Sequence, residues 1–254
     1  MGSLHDGHLS LIRESKLNCD LSVVSIFVNP TQFGPTEDYD SYPRKLQEDI
    51  SLLKNLNVDV LFLPSNESFY PKKFSTYVDE EKLSIRLEGK SRPQFFKGVM
   101  TVVIKLLNII KPNYAYFGKK DMQQLKVIQK MVEDLNIDVK IFGLETVREP
   151  SGLAMSSRND YFSIKRRGEL GTVFNALKAG EGAILSGNRD SVEIKNIIKK
   201  KLLEIKNIQI EYVDIGDFSD LKSVKTINNS VVISLAVLVD GVRLIDNLEV
   251  FLTL

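Results

Sequence analysis

The chain has 254 residues, 34 basic and 33 acidic side chains, and a formal net charge of +1, so charge gives no reason to name nucleic acid or an anionic membrane as the main partner. At 43% hydrophobic and 26% charged residues the composition supports a packed core, which excludes disorder as the main state. The single cysteine, Cys19, excludes an internal disulfide, no run reaches the roughly 18 apolar residues of a membrane span, and the start Met1-Gly2-Ser3-Leu4-His5-Asp6 lacks the basic-then-apolar order of a secretory signal. The expectation is a soluble, cytoplasmic protein.

In chain order, the spacing predicts a short helix over Leu9–Leu17 and a buried strand over Leu21–Val28, where β-branched residues run almost unbroken. Leu46, Ile50 and Leu53 recur at helical spacing, and Val58–Leu63 is a second apolar strand stopped by Pro64. Val99, Val103, Leu106 and Ile110 line a longer helix that ends at Pro112. A strand at Tyr114–Phe117, a helix over Met122–Leu135 and a strand at Val139–Leu144 follow. Strands alternating with helices predict βαβ units, and hence a doubly wound parallel sheet with helices on both faces.

All eight prolines lie at or before Pro150, and Glu149-Pro150-Ser151-Gly152 is a turn-like cluster. A domain boundary is placed there, giving residues 1–149 and 150–254. The second part predicts helices over Ile164–Leu185 and Val192–Lys206, then strands near Ile208–Ile215, Val231–Val239 and Val242–Ile245. Asp240-Gly241 is a two-residue hairpin signal, so this part is a smaller α+β unit with an antiparallel sheet.

The two histidines, His5 and His8, stand three residues apart in His5-Asp6-Gly7-His8, just ahead of the helix predicted from Leu9. A helix start offers N–H donors and a positive dipole end to a phosphate, Gly2 and Gly7 permit close backbone approach, and two imidazoles can donate to phosphoryl oxygens as charge builds. Two surface histidines near a terminus is the plain alternative. Zinc is poorly served, because two histidines and a distant Cys19 fall short of the usual ligand set. Phe117-Gly118-Lys119-Lys120-Asp121, followed by Gln123-Gln124, lies where a strand gives way to a helix, the edge at which open parallel sheets bind ligands. Met155-Ser156-Ser157-Arg158-Asn159 offers two hydroxyls and a guanidinium to a triphosphate. Asn29-Pro30-Thr31-Gln32-Phe33-Gly34 places amides at another strand end, and Asp38–Arg44 reads as a lid or as a solvated loop. Each run alone has a bland reading as a charged turn or a linker. Together they fall at strand ends and a domain junction on the ligand-binding side of a wound sheet.

These stretches, in this order, closely resemble the pantoate–β-alanine ligase (pantothenate synthetase) family, within the wider His-x-Gly-His nucleotidyltransferase superfamily. The resemblance rests on Met1–His8, Phe27–Phe33, Leu87-Glu88-Gly89-Lys90, Tyr116–Gln124, Met155–Asn159 and Arg243-Leu244-Ile245-Asp246-Asn247. It implies an ATP- and Mg²⁺-dependent joining of pantoate to β-alanine through a pantoyl-adenylate, with release of AMP and diphosphate. It implies an ATP site of Met1, Gly2, Ser3, Leu4, His5, Asp6, Gly7, His8, Gly118, Lys119, Lys120, Asp121, Val147, Met155, Ser156, Ser157 and Arg158. His8, His5 and Lys120 take the catalytic roles, Gln32 contacts pantoate and β-alanine, and Gln124 contacts pantoate. No protein metal site, nucleic acid or membrane partner is implied, and the assembly is a homodimer. The fold it implies is a Rossmann-like doubly wound sheet with a smaller C-terminal lid domain.

Two departures stand out. The family shows Gly-His before the phenylalanine of its Arg-Pro-x-x-Phe stretch, where this chain reads Arg92-Pro93-Gln94-Phe95-Phe96. The family also carries a strand and helix ahead of the Met-Gly start, so the first strand of the wound sheet is expected to be missing here. The competing functions are another nucleotidyltransferase of the superfamily, separated by a nucleotide-linked product, and a shortened, non-catalytic remnant.

Overall fold

A computed structural model describes residues 2–34 and 37–252. Two compact units emerge, Met1–Lys119 with Gln123–Glu145, and Lys120–Met122 with Thr146–Leu254.

The first unit runs α1 (Asp6–Asn18), β1 (Val23–Ser25), a 3-10 turn (Pro30–Gln32), α2 (Leu46–Asn55), β2 (Val60–Phe62), α3 (Asn66–Phe69), α4 (Leu87–Ser91), α5 (Phe95–Ile110), β3 (Tyr114–Gly118), α6 (Met122–Asp134) and β4 (Lys140–Leu144). β1 pairs in parallel with β2, Val23 opposite Val60, and β3 pairs in parallel with β4, Tyr114 opposite Lys140. Parallel pairing follows from the helical crossovers, as the alternating pattern predicts. The single continuous sheet does not appear: the described strands form two separate two-stranded sheets. No described strand lies along the second edge of β1 or of β3, so no strand ladder joins the pairs. For the same reason the strand expected over Leu21–Val28 shrinks to Val23–Ser25, since an extended run is held only where a neighbour accepts its hydrogen bonds.

Each pair carries its own core. Leu9 and Ile12 of α1 and Leu53 of α2 pack with Val24, Ile26 and Leu61. Val99, Met100 and Leu107 of α5 and Val127, Ile128 and Met131 of α6 pack with Ala115, Phe117 and Ile141. α5 ends on Lys111 at φ 50°, directly before Pro112.

The second unit contains α7 (Ile164–Leu170), α8 (Thr172–Leu185), α9 (Ser191–Leu202), β5 (Ile208–Asp217), β6 (Val231–Val239) and β7 (Val242–Val250), with the strands antiparallel in the order β5-β6-β7. Asp240 (φ 49°) and Gly241 (φ 82°) both turn left-handed, as the tight hairpin requires. The one long helix expected over Ile164–Leu185 is divided at Gly171, where a Cβ would fall 2.1 Å from the Ser151 carbonyl oxygen. The helix breaks where its backbone presses on a neighbouring loop. α9 stops at Leu202, short of the expected Lys206, and is capped by the Asp190 carboxylate, which accepts from the Val192 and Glu193 N–H groups at 2.7 and 3.1 Å. β7 runs past the expected Ile245 and so takes in Asp246 and Asn247. Leu177, Ile184, Ile194, Ile198, Ile215 and Ile233 form the dry centre of this unit.

Candidate active site

The residues before α1 form a tight loop. Gly2 has φ +133°, a region that favours glycine, and a Cβ built there lies 3.5 Å from Ile26 Cγ2. Ser3 follows at φ 53°, an uncommon value for a residue with a side chain. Asp49 of α2, only 1% exposed, holds this turn: its carboxylate accepts from the Ser3 N–H at 2.9 Å and the Leu4 N–H at 2.7 Å. Met1 lies outside the described residues.

His5 is the N-cap of α1, its Nδ1 accepting from the Gly7 N–H at 3.2 Å, and His8 Nδ1 accepts from the His5 N–H at 3.3 Å. The two ring centroids are 4.0 Å apart. Because both Nδ1 atoms accept, the neutral ring carries its proton on Nε2 in each case. The helix begins at Asp6, three residues ahead of the expected Leu9. The Gly7 and His8 N–H groups are taken by His5, through Nδ1 and through its carbonyl at 2.7 Å.

Asn29, 2% exposed, organises the next turn. Its Oδ1 accepts from the Thr31 N–H at 3.2 Å and the Thr31 hydroxyl at 2.9 Å, and its Nδ2 donates to the Gly98 carbonyl at 3.2 Å. The Tyr70 hydroxyl, its pKa raised by burial, lies 3.4 Å from Thr31 Oγ1. Arg92 donates to the Gln32 carbonyl at 2.7 Å, pairs with Glu37 at 2.7 Å through Nε, and lies 3.9 Å over the ring of Phe95. Phe95, standing where the family pattern has histidine, is thus the apolar floor of an arginine brace. The Gln32 backbone is fixed while its half-buried side-chain amide has no hydrogen bond among the described residues.

β3 ends at Gly118, and a 3-10 turn of Lys119–Asp121 follows. Lys119 pairs with Glu145 just beyond β4, and Lys120 Nζ lies 3.6 Å from Asp121 Oδ1. The neighbouring glutamines differ. Gln123, 6% exposed, accepts from the Glu88 N–H at 3.0 Å and donates to the Leu83 and Arg86 carbonyls, both at 2.7 Å. Gln124 is half-buried, and its amide has no hydrogen bond among the described residues.

In the second unit, Val147 and Met155 close a loop, the Met155 N–H donating to the Val147 carbonyl at 3.0 Å. Arg148 inside it meets Asp246 of β7 with two bonds of 2.6 and 3.0 Å, donates to the Gly152 carbonyl at 3.1 Å and lies 3.8 Å over the ring of Phe174. Burial pushes the Asp246 carboxyl up from its ordinary pKa, against the downward pull of Arg148. Asn247 Nδ2 donates to the Lys120 carbonyl at 2.8 Å. Ser156 Oγ accepts from the Arg158 N–H at 3.3 Å and opens the 3-10 turn Ser157–Tyr161.

The first unit thus holds Gly2–His8, Gln32, Gly118, Lys119 and Gln124, and the second holds Lys120, Asp121, Val147, Met155, Ser156, Ser157 and Arg158. Sequence reasoning assigned no role to Asp49, Arg92, Gln123, Asp246 or Asn247. Asp49 had a visible signal, a carboxylate four residues before Leu53 on the apolar face of α2. Among the described residues, no group of three or more His, Cys, Asp or Glu is placed to hold a metal ion, and no helix is long and apolar enough to cross a membrane.

A family model described as Pantoate-beta-alanine ligase matches residues 1–249. A pantothenate synthetase of Pseudothermotoga lettingae is 52% identical over 247 residues, covering 97% of this chain and 88% of the relative. That of Thermosipho africanus is 51% identical over 248 residues, covering 98% and 89%. The solved pantothenate synthetase from Thermus thermophilus is similar with a TM-score of 0.95 at 40% identity, over 99% of this chain and 91% of that one. The pantoate-beta-alanine ligase of Francisella tularensis, solved in complex with beta-gamma ATP and beta-alanine, has a TM-score of 0.78 at 38% identity, over 98% and 87%. With a match that runs nearly end to end and relatives this similar, the chain belongs to the pantoate–β-alanine ligase family.

Proposed function

We propose that this chain condenses pantoate with β-alanine at the expense of ATP, forming pantothenate, AMP and diphosphate. The observation that carries the reading is the family match over residues 1–249, with the histidine, lysine and serine–arginine runs all present inside it. In the first half-reaction a pantoate carboxylate oxygen bonds to the α-phosphorus of ATP and the bond to diphosphate breaks. In the second, the β-alanine nitrogen bonds to the acyl carbon of the pantoyl-adenylate, AMP leaves, and the nitrogen gives up its proton.

The Nε2–H groups of His5 and His8 donate to phosphoryl oxygens as charge builds in the first step. Lys120, Ser156, Ser157 and Arg158 neutralise and hydrogen-bond the phosphates, with Gly118, Lys119, Asp121, Val147 and Met155 completing the nucleotide contacts. Gln32 orients pantoate and β-alanine, and Gln124 orients pantoate; the support is that both amides are half-buried and not engaged by protein partners among the described residues. Mg²⁺ would enter with the triphosphate, as the family resemblance implies. When bound it shields phosphate charge. A cytoplasmic homodimer is proposed from family membership.

We also read the two parallel pairs as parts of one Rossmann-like doubly wound sheet. In support, a Cβ at Gly2 lies 3.5 Å from Ile26 Cγ2 and 3.9 Å from Val28 Cγ2, so the chain already runs beside the end of β1.

The test is product analysis. With ATP, pantoate and β-alanine, the purified protein should release AMP and diphosphate with amide formation, and without β-alanine it should release diphosphate in a single burst. A stable nucleotide-linked product would instead identify a nucleotidyltransferase. No turnover with any acid or amine would favour the remnant, which the intact motif runs do not support.

A further inference from the structure

Asp246 and Asn247 lie between Ile245 and Leu248 in β7, and they are 3% and 8% exposed. Buried polar groups persist where their hydrogen bonds do something a hydrophobic residue would not. Here each side chain grips a different loop of its own unit. Asp246 takes the Arg148 guanidinium with two bonds of 2.6 and 3.0 Å, and through it the loop closed by Val147 and Met155. Asn247 takes the Lys120 carbonyl at 2.8 Å across 127 residues of sequence. The same strand packs against the 3-10 turn Ser157–Tyr161. Asp246 Oδ1 also accepts from the Asn247 N–H at 2.9 Å, which ties the two grips to each other.

We propose that Asp246 and Asn247 are positioning residues for adenylate formation, acting through Arg148 and Lys120 and touching no substrate themselves. The proposal rests on the role given above to Lys120. A carbonyl held from the side fixes the peptide plane between Lys120 and Asp121, and so the direction in which the Lys120 side chain leaves the backbone. Arg148, braced by Asp246 and by the Phe174 ring, sets the path of the chain from Val147 to Met155 and into Ser156. Misplacement of this kind degrades a rate more than it degrades binding, because the groups concerned must meet a transition state and not only a ground state.

The experiment is single-turnover diphosphate release from the full chain with saturating ATP and pantoate. The variants are Asn247→Ala, Asn247→Ser, Asp246→Asn and Lys120→Ala, with each of the first three also made in the Lys120→Ala background. Positioning predicts that Asn247→Ala lowers the rate constant by about tenfold or more, with burst amplitude retained and ATP affinity within about threefold. It predicts that the same change in the Lys120→Ala background costs less than about twofold, since the grip then has nothing to aim. A merely structural role would lower the amplitude, through loss of folded protein, and leave the rate constant of the remainder unchanged; that result overturns the proposal. So do additive losses when the Asn247 changes are combined with Lys120→Ala, or full rates for both Asn247 variants. A normal rate for Lys120→Ala would remove the role of Lys120 itself, a failure told apart by that single variant.

Discussion

His8 and the two adjacent glutamines show how much is decided by where one atom points. His8→Ala should slow adenylate formation by about 10²–10³ while ATP still binds, the usual loss for one preorganised transition-state donor. Single-turnover diphosphate release checks it, and near-normal release would take His8 out of the mechanism. Gln123 and Gln124 make a sharper pair. Gln123→Ala removes the Gln123 bond from the Glu88 N–H and one of two from each of the Leu83 and Arg86 carbonyls, which still accept from the Arg86 and Gly89 N–H groups, and should cost about 1–3 kcal/mol. Its melting temperature should fall while the pantoate KM of the folded fraction holds. Gln124→Ala should do the reverse, raising the pantoate KM and leaving the melting temperature and the ATP affinity in the absence of pantoate nearly alone. If both variants lose stability alike, Gln124 is structural. The sequence placed both residues at a strand-to-helix junction, but which amide is engaged by the protein depends on the fold of residues 83–88, some 35 to 40 positions upstream. The histidine pair was legible as a site for the opposite reason: its geometry is local, contained in four consecutive residues.

Among the elements, β1 and β2 are short, and their register is pinned by Asp59. It accepts from the Ser22 N–H at 2.7 Å, the Ser22 hydroxyl at 2.8 Å and Lys16 Nζ at 2.9 Å, which joins the end of α1 to the starts of both strands. These bonds, with that to Lys16 the strongest, hold the Asp59 carboxyl well below the usual carboxylate range. A lowered folded pKa means that its stabilisation is complete above the unfolded value near about 3.9 and is lost as pH falls from there toward the folded value. Asp59→Asn should therefore flatten the acid limb of a melting-temperature profile taken from about pH 6 down to about pH 3; parallel profiles for the two proteins would count against it. The helices give a second contrast. Gly171→Ala drives a Cβ to 2.1 Å from the Ser151 carbonyl and should cost about 1–3 kcal/mol in urea unfolding. Gly182→Ala, in the exposed interior of α8 with open space around it, should add about 0.5–1 kcal/mol. Periodicity found both helical stretches and missed the break between α7 and α8, because the break is caused by a loop lying across the helix and not by the helical sequence.

At the scale of the whole molecule, the alternation of strands and helices revealed the mixed α/β class, and the family runs revealed the chemistry. The order of the strands was not legible, because it is set by edges that meet in space. The two units also differ in how local their contacts are. β5, β6 and β7 follow one another in sequence, through residues 218–230 and then a tight turn, whereas β1–β2 and β3–β4 pair only across helical crossovers. Local pairing closes faster. Pulsed hydrogen exchange during refolding should protect β6 before β3, and the opposite order would sink the prediction. One bond then has a consequence for how the protein is made. The residue that holds the Lys120 carbonyl is synthesised 127 positions after Lys120 itself. On the ribosome, at about 5–20 residues per second, the lysine waits several seconds or more for its support. A product that terminates before Asn247 can contain every motif run up to Asn159 and still lack the bond that holds the Lys120 carbonyl.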